Sequence, residues 1–143
     1  MKLFSVIIFS ILFGCSVRAQ SLIVWSYDFD SKDSLIQLRA KIEKGWHIYS
    51  QFIDDEIGPI PTTIVFDETS DYLIIGQTKE KGEVEIYDEN FGGNLKIFED
   101  YAFFSQKIKY ATKTVTQGTI LYMLCNESGC LPPEIEKFSI EIY

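Results

Sequence analysis

The sequence predicts an all-β protein built as a two-sheet sandwich, and three observations carry that expectation. From residue 22 onward the hydrophobic residues recur with a period of two. Turn signals divide the chain at short intervals, and no stretch carries the spacing of a three- to four-turn helix. Alternation rich in β-branched and aromatic residues marks strands with one buried face. Eight or nine such strands at regular spacing imply two packed sheets.

The strands follow in order. Leu22 to Phe29 opens the series, and Leu38, Ala40 and Ile42 then alternate with Gln37, Arg39 and Lys41. Thr62 to Phe66 and Tyr72 to Ile75 come next. Val84 and Ile86 alternate with Glu83 and Glu85, and Leu95 and Ile97 with Asn94 and Lys96. Tyr101 to Tyr110 is followed by Ile120, Tyr122 and Leu124 on one face, and by Phe138, Ile140 and Ile142 on another. Lys44-Gly45, Gly58 to Pro61, Lys81-Gly82, Gly92-Gly93 and Gln117-Gly118 are the expected turns. Two connections are longer. Residues 50–61 carry Asp54, Asp55, Glu56 and two prolines, which cannot donate to a ladder. Residues 87–93 run Tyr87-Asp88-Glu89-Asn90-Phe91-Gly92-Gly93, with Phe91 expected as an exposed aromatic at a loop tip.

A length of 143 residues fits one domain. The chain is 46% hydrophobic and 15% aromatic, too apolar for a disordered protein. Its net charge of −8 argues against nucleic acid and against electrostatic docking on anionic lipid.

The first nineteen residues read as a signal peptide. Lys2 precedes an apolar run from Leu3 to Phe13, too short to span a bilayer, and Val17-Arg18-Ala19 supplies a cleavage site before Gln20. The alternative is Leu12-Phe13-Gly14-Cys15 as a lipobox, with Phe13 bulky for that motif and Cys15 as a lipid anchor. The expected mature domain is 20–143, periplasmic or secreted, without membrane insertion after cleavage. Lys2 and Arg18 leave with the leader and no acid does, so 11 basic and 21 acidic residues remain, a net charge of −10.

That export leaves Cys125 and Cys130 in an oxidising setting. They bracket Asn126-Glu127-Ser128-Gly129 at the end of an alternating strand, a hairpin-like turn that can bring two sulfurs together. A structural staple is the common fate of such a pair. Closing so short a ring, however, removes only about 2 kcal/mol of unfolded-state entropy, and accessible loop disulfides exchange readily. Redox exchange and stapling both stay open. Metal binding is a weaker third reading, because two sulfurs and His47 fall short of a four-ligand zinc site. His47, in Gly45-Trp46-His47-Ile48-Tyr49, is either a satisfied strand histidine or an imidazolium lowering a thiol pKa.

Three segments together resemble one family, the N-terminal periplasmic domain of the thiol:disulfide interchange protein DsbD. They are Cys125…Cys130-Leu131-Pro132-Pro133 with its terminal strand, Gly45 to Tyr49, and Asp88-Glu89-Asn90-Phe91-Gly92-Gly93…Ile97-Phe98. The likeness spans roughly residues 24–142. It implies an immunoglobulin-like β-sandwich with the cysteine pair at a hairpin end, and no cofactor or metal. It further implies a thiol:disulfide oxidoreductase of the protein-disulfide reductase type. Electrons would arrive from a thioredoxin-like or membrane thiol-disulfide oxidoreductase and pass to envelope disulfide proteins. By the same likeness Cys130 forms mixed disulfides and Cys125 resolves them. Phe91, with Glu89 and Asn90, belongs to a cap loop, and His47 and Tyr49 line the site beneath it. The chain departs from the pattern in having four residues between the cysteines where some members have five. His47 also replaces an aromatic, and Gly92 stands where a tyrosine can occur. With one domain present, the reductant would be a separate protein. The competing function is a non-enzymatic immunoglobulin-like binding module with a structural disulfide, its acidic loops meeting a basic partner.

Overall fold

The computed structural model describes residues 21–53, 56 and 58–143. The leader at 1–19, the lipobox cysteine Cys15, and Asp54 and Asp55 lie outside the described residues.

Alternation governs the fold as expected, in twelve strands among the described residues. These are β1 (Ile23–Asp30), β2 (Leu35–Ile42), β3 (His47–Tyr49), β4 (Thr63–Phe66), β5 (Tyr72–Lys81) and β6 (Val84–Asp88). They continue with β7 (Gly93–Glu99), β8 (Tyr101–Tyr110), β9 (Thr114–Tyr122), β10 (Cys125–Asn126), β11 (Gly129–Cys130) and β12 (Glu134–Ile142). Three antiparallel sheets result, in the orders β1-β2-β8-β5, β11-β10-β3-β7-β6 and β12-β9-β4.

One core joins all three. Ile36, Leu38, Ala40, Phe104 and Ile108 of the four-stranded sheet meet Ile48 and Phe98 of the five-stranded sheet and Ile120, Phe138 and Ile140 of the three-stranded sheet. Aromatic pairs bridge the layers: Trp25 with Tyr122 at 5.5 Å between ring centroids, Tyr27 with Phe138 at 5.7 Å, and Phe98 with Phe104 at 5.3 Å. The four-stranded sheet is one layer of the sandwich, and the five- and three-stranded sheets together form the other.

Three expectations need correction. Gln117-Gly118 is not a turn but lies within β9, where Gly118 pairs with both Phe66 and Phe138. The glycine is there for space. A Cβ at 118 would stand 2.2 Å from the Val65 carbonyl oxygen and 2.5 Å from Phe138 Cζ. Second, the strand carrying Ile120 and Tyr122 stops at Tyr122, and Cys125 opens a strand in a different sheet. Residues 123–133 thus leave the β9–β12 hairpin, whose last rung is Tyr122 with Glu134, and return through Pro132-Pro133, which cannot donate to a ladder. Third, the acidic connection is shorter than 87–93, because β6 runs to Asp88 and β7 starts at Gly93.

Gly118→Ala is expected to cost at least about 2 kcal/mol, since the backbone oxygen of Val65 cannot step aside as a side chain would. Thermal unfolding should show a midpoint roughly 6–10 °C below wild type. A midpoint within about 2 °C would mean the strands separate at no cost.

Candidate functional site

The five-stranded sheet uses its two faces differently. Ile48 and Phe98 point into the main core, so their neighbours His47, Tyr49, Ile97 and Glu99 point the other way, as alternation requires. Directly paired residues share a face. The register pairs Cys130 with Cys125, Cys125 with His47, and His47 with Glu99, so these four form one row across the outer face. Tyr49, Leu95, Ile97, Met123 and Cys125 make a second, smaller core there, covered by Ile53, Ile60, Ile86 and Phe91.

The cysteines are disulfide-bonded with Cα atoms 4.0 Å apart, closer than the usual spacing of about 4.4–6.8 Å. The turn between them closes locally: Ser128 N donates to Asn126 Oδ1 at 2.8 Å, and Leu131 N donates to the Leu124 carbonyl at 2.8 Å. The two sulfur-bearing residues differ in access. Cys125 is fully buried, whereas Cys130 is exposed at the sheet edge.

Next to them lies a buried polar group that sequence reasoning read as part of an acidic surface loop. Asp88 is only 2% exposed. Tyr49 Oη donates to its Oδ2 at 2.6 Å, and Asn90 N donates to its Oδ1 at 2.8 Å. His47 Nε2 lies 3.2 Å from Tyr49 Oη and 3.7 Å from Asp88 Oδ2. The tyrosine has one proton, committed to Asp88, so the contact with His47 requires Nε2–H to donate and leaves Nδ1 unprotonated. Burial lowers the His47 pKa from its ordinary value; the nearby Asp88 and Glu99 oppose that without cancelling it. The ring is therefore neutral at neutral pH, not the imidazolium considered from sequence. Burial, then the bond to Asp88, pushes the Tyr49 phenol above its ordinary range, so it stays a donor. The signal for Asp88 was its position: it ends the alternation begun by Val84 and Ile86 and so faces the same way.

Two connections close over this face. In the 89–92 turn, Gly92 N donates to the Asp88 carbonyl at 2.7 Å, and Asn90 Nδ2 reaches the Asn126 carbonyl of the cysteine hairpin at 3.1 Å. Phe91 is half-buried rather than exposed, standing edge-on to Tyr49 at 5.9 Å between centroids. A Cβ on Gly58 would come within 3.1 Å of the Phe91 ring, so the 50–61 connection rests on it. Glu89 stays exposed on the rim. A cleft of about 850 Å³ beside the hairpin is lined by His47, Asp88, Glu89, Asn90, Glu99 and Glu127, among others. Among the described residues no group of three or more His, Cys, Asp or Glu side chains is arranged to hold a metal ion.

The histidine gives a pH dependence. With a lowered folded pKa, the native state binds fewer protons than the unfolded chain, so this contribution is full above about pH 6.5 and is lost as pH falls through the folded value. The unfolding midpoint of wild type should fall more steeply between pH 7 and 5 than that of His47→Gln. Parallel profiles would show that the histidine is not held neutral.

Comparison with known proteins identifies the fold and the family. No curated protein matches the chain in sequence. Among solved structures, the DsbD N-terminal domain of Neisseria meningitidis in its reduced form superposes with a TM-score of 0.59 at 21% identity, covering 85% of this chain and 86% of that one. The complex between the DsbD N-terminal and PilB N-terminal domains of Neisseria meningitidis gives 0.58 at 19%, covering 80% of each. The fold is thus an immunoglobulin-like β-sandwich. The family model for the N-terminal part of thiol:disulfide interchange protein DsbD matches residues 19–142, which takes in both cysteines, the strand of His47 and Tyr49, and the turn bearing Phe91. From the first strand to the last, the chain belongs to the DsbD N-terminal family.

Proposed function

We propose that this protein is an exported thiol–disulfide exchange domain of the bacterial envelope, with residues 1–19 as its signal peptide and Cys125 and Cys130 as its only reactive pair. The observation that carries the reading is the asymmetry of the disulfide. Cys130 is exposed at the sheet edge, while Cys125 is buried beside a neutral imidazole. Family membership and the presence of the pair support it.

The chemistry is two-electron exchange. A thiolate of a thioredoxin-like or membrane oxidoreductase attacks Cys130 Sγ, the Cys125–Cys130 bond breaks, and Cys125 leaves as thiolate and takes up a proton. The donor's second thiol resolves the mixed disulfide, so the donor ends oxidised and the domain as a dithiol. Cys130 thiolate then attacks a disulfide of an envelope protein, and Cys125, losing its proton, attacks Cys130 Sγ. The intramolecular disulfide re-forms and the target leaves with two thiols. His47, paired with Cys125 and neutral, is suited to accept that proton. Phe91 and the 89–92 turn act as a cap that a partner must displace, which matches a short segment held on a rigid sheet. That the related Neisseria domain was solved in complex with another protein domain supports a protein partner here.

Cys125→Ser, expressed in the exporting host and mildly oxidised, should accumulate mixed disulfides through Cys130. Cys130→Ser should give at least tenfold fewer, because Cys125 is buried, and the double variant none. Absence of adducts from Cys125→Ser would leave the pair a structural staple in a binding module.

A further inference from the structure

The chain is acidic, yet its cations are not scattered. On the outer face of the four-stranded sheet the register aligns Arg39, Phe103 and Lys81 in one row, Ser105 and Lys79 in the next, then Lys107 and Ile75, then Lys109 and Leu73. Lys41 and Tyr101 form the row at the other end. Strands β2, β8 and β5 therefore present six cations outward and no carboxylate, although only 11 basic residues fall within 20–143. Two carboxylates share this face: Asp28 and Asp30 of β1, next to β2, stand in the rows of Lys79 and Lys107. Glu80 also borders the shallow groove between Arg39, Lys79, Lys81 and Phe103, but its carboxylate is engaged by Ser50 and Gln51.

Apolar side chains stand exposed among these cations. Tyr101 and Phe103 are half exposed and stack at 6.3 Å between centroids, and Leu73 is 61% exposed. A nucleic-acid or acidic-protein site needs the charges but not the aliphatics. Aromatic and aliphatic tips between lysines suit the headgroup–acyl boundary, where each cation keeps its head in the polar layer.

We infer that this face docks the domain on an anionic lipid bilayer. The net charge alone points the other way, but total charge is not its distribution. Charges farther than about 8 Å are screened at physiological ionic strength, so a surface touching this sheet meets six cations against the two carboxylates of β1. The chain also enters the same sheet at Ile23. The inference does not depend on the thiol chemistry.

The test is co-sedimentation of the exported protein, as the cell processes it, with vesicles of phosphatidylcholine alone or with one-quarter phosphatidylglycerol. Partitioning to the anionic vesicles should be at least tenfold greater at 50 mM salt, and the difference should vanish at 500 mM. The combined Arg39→Glu, Lys79→Glu, Lys81→Glu and Lys107→Glu variant should lose the preference, the matching glutamine set should show an intermediate value, and Lys96→Glu, off this face, should keep it. Equal partitioning to both vesicles, or a preference that survives the four reversals, overturns the inference. So does a salt-sensitive dimer in sedimentation without vesicle preference, which would assign the face to a second copy.

Discussion

The site depends on one buried carboxylate. Asp88 sits where β6 gives way to the turn, and its two oxygens hold two different elements: the Tyr49 hydroxyl of β3 and the Asn90 amide of the turn. A carboxylate so enclosed is tolerated only with its acceptors filled. Filling them orients the tyrosine, and the oriented tyrosine fixes the proton on His47 Nε2. The same bonds set the turn from which Phe91 packs against Tyr49 and Asn90 reaches the cysteine hairpin. Removing this acceptor would loosen cap, tyrosine and imidazole together.

The sheet around it explains why the site is on an outward face. β3 is three residues long, yet both of its faces are buried, Ile48 in the main core and Tyr49 in the smaller one, with His47 buried beside it. The disulfide extends that same sheet by two short strands, so Cys125 inherits burial from its neighbours while Cys130, at the edge, does not. In the proposed exchange this division matters: the exposed sulfur meets partners, and the sheltered one resolves.

Most strands were legible from alternation, which reports burial on one face and little else. Gly118 was misread because glycine in a strand and glycine in a turn look alike in sequence; only the Phe138 ring and the Val65 carbonyl across from it tell them apart. Cys125 and Cys130 were legible as a pair, but their unequal exposure depends on a jump between sheets that no local pattern encodes. His47 and Tyr49 were legible as neighbours in a strand. Asp88 looks like a surface residue in sequence, because acidic residues at loop starts are usually solvated and its partner Tyr49 lies 39 positions away. The basic sheet face was hidden by the net charge, since its lysines come from three strands distant in sequence.

Asp88→Asn tests the central claim directly. Asparagine keeps the size but offers one acceptor where the carboxylate had two, so either Tyr49 or the Asn90 amide loses its partner. The rate at which a small dithiol reduces the Cys125–Cys130 disulfide at neutral pH should rise at least tenfold under conditions where the variant remains folded by near-UV circular dichroism. A rate equal to wild type would mean that the cap does not hang on this carboxylate.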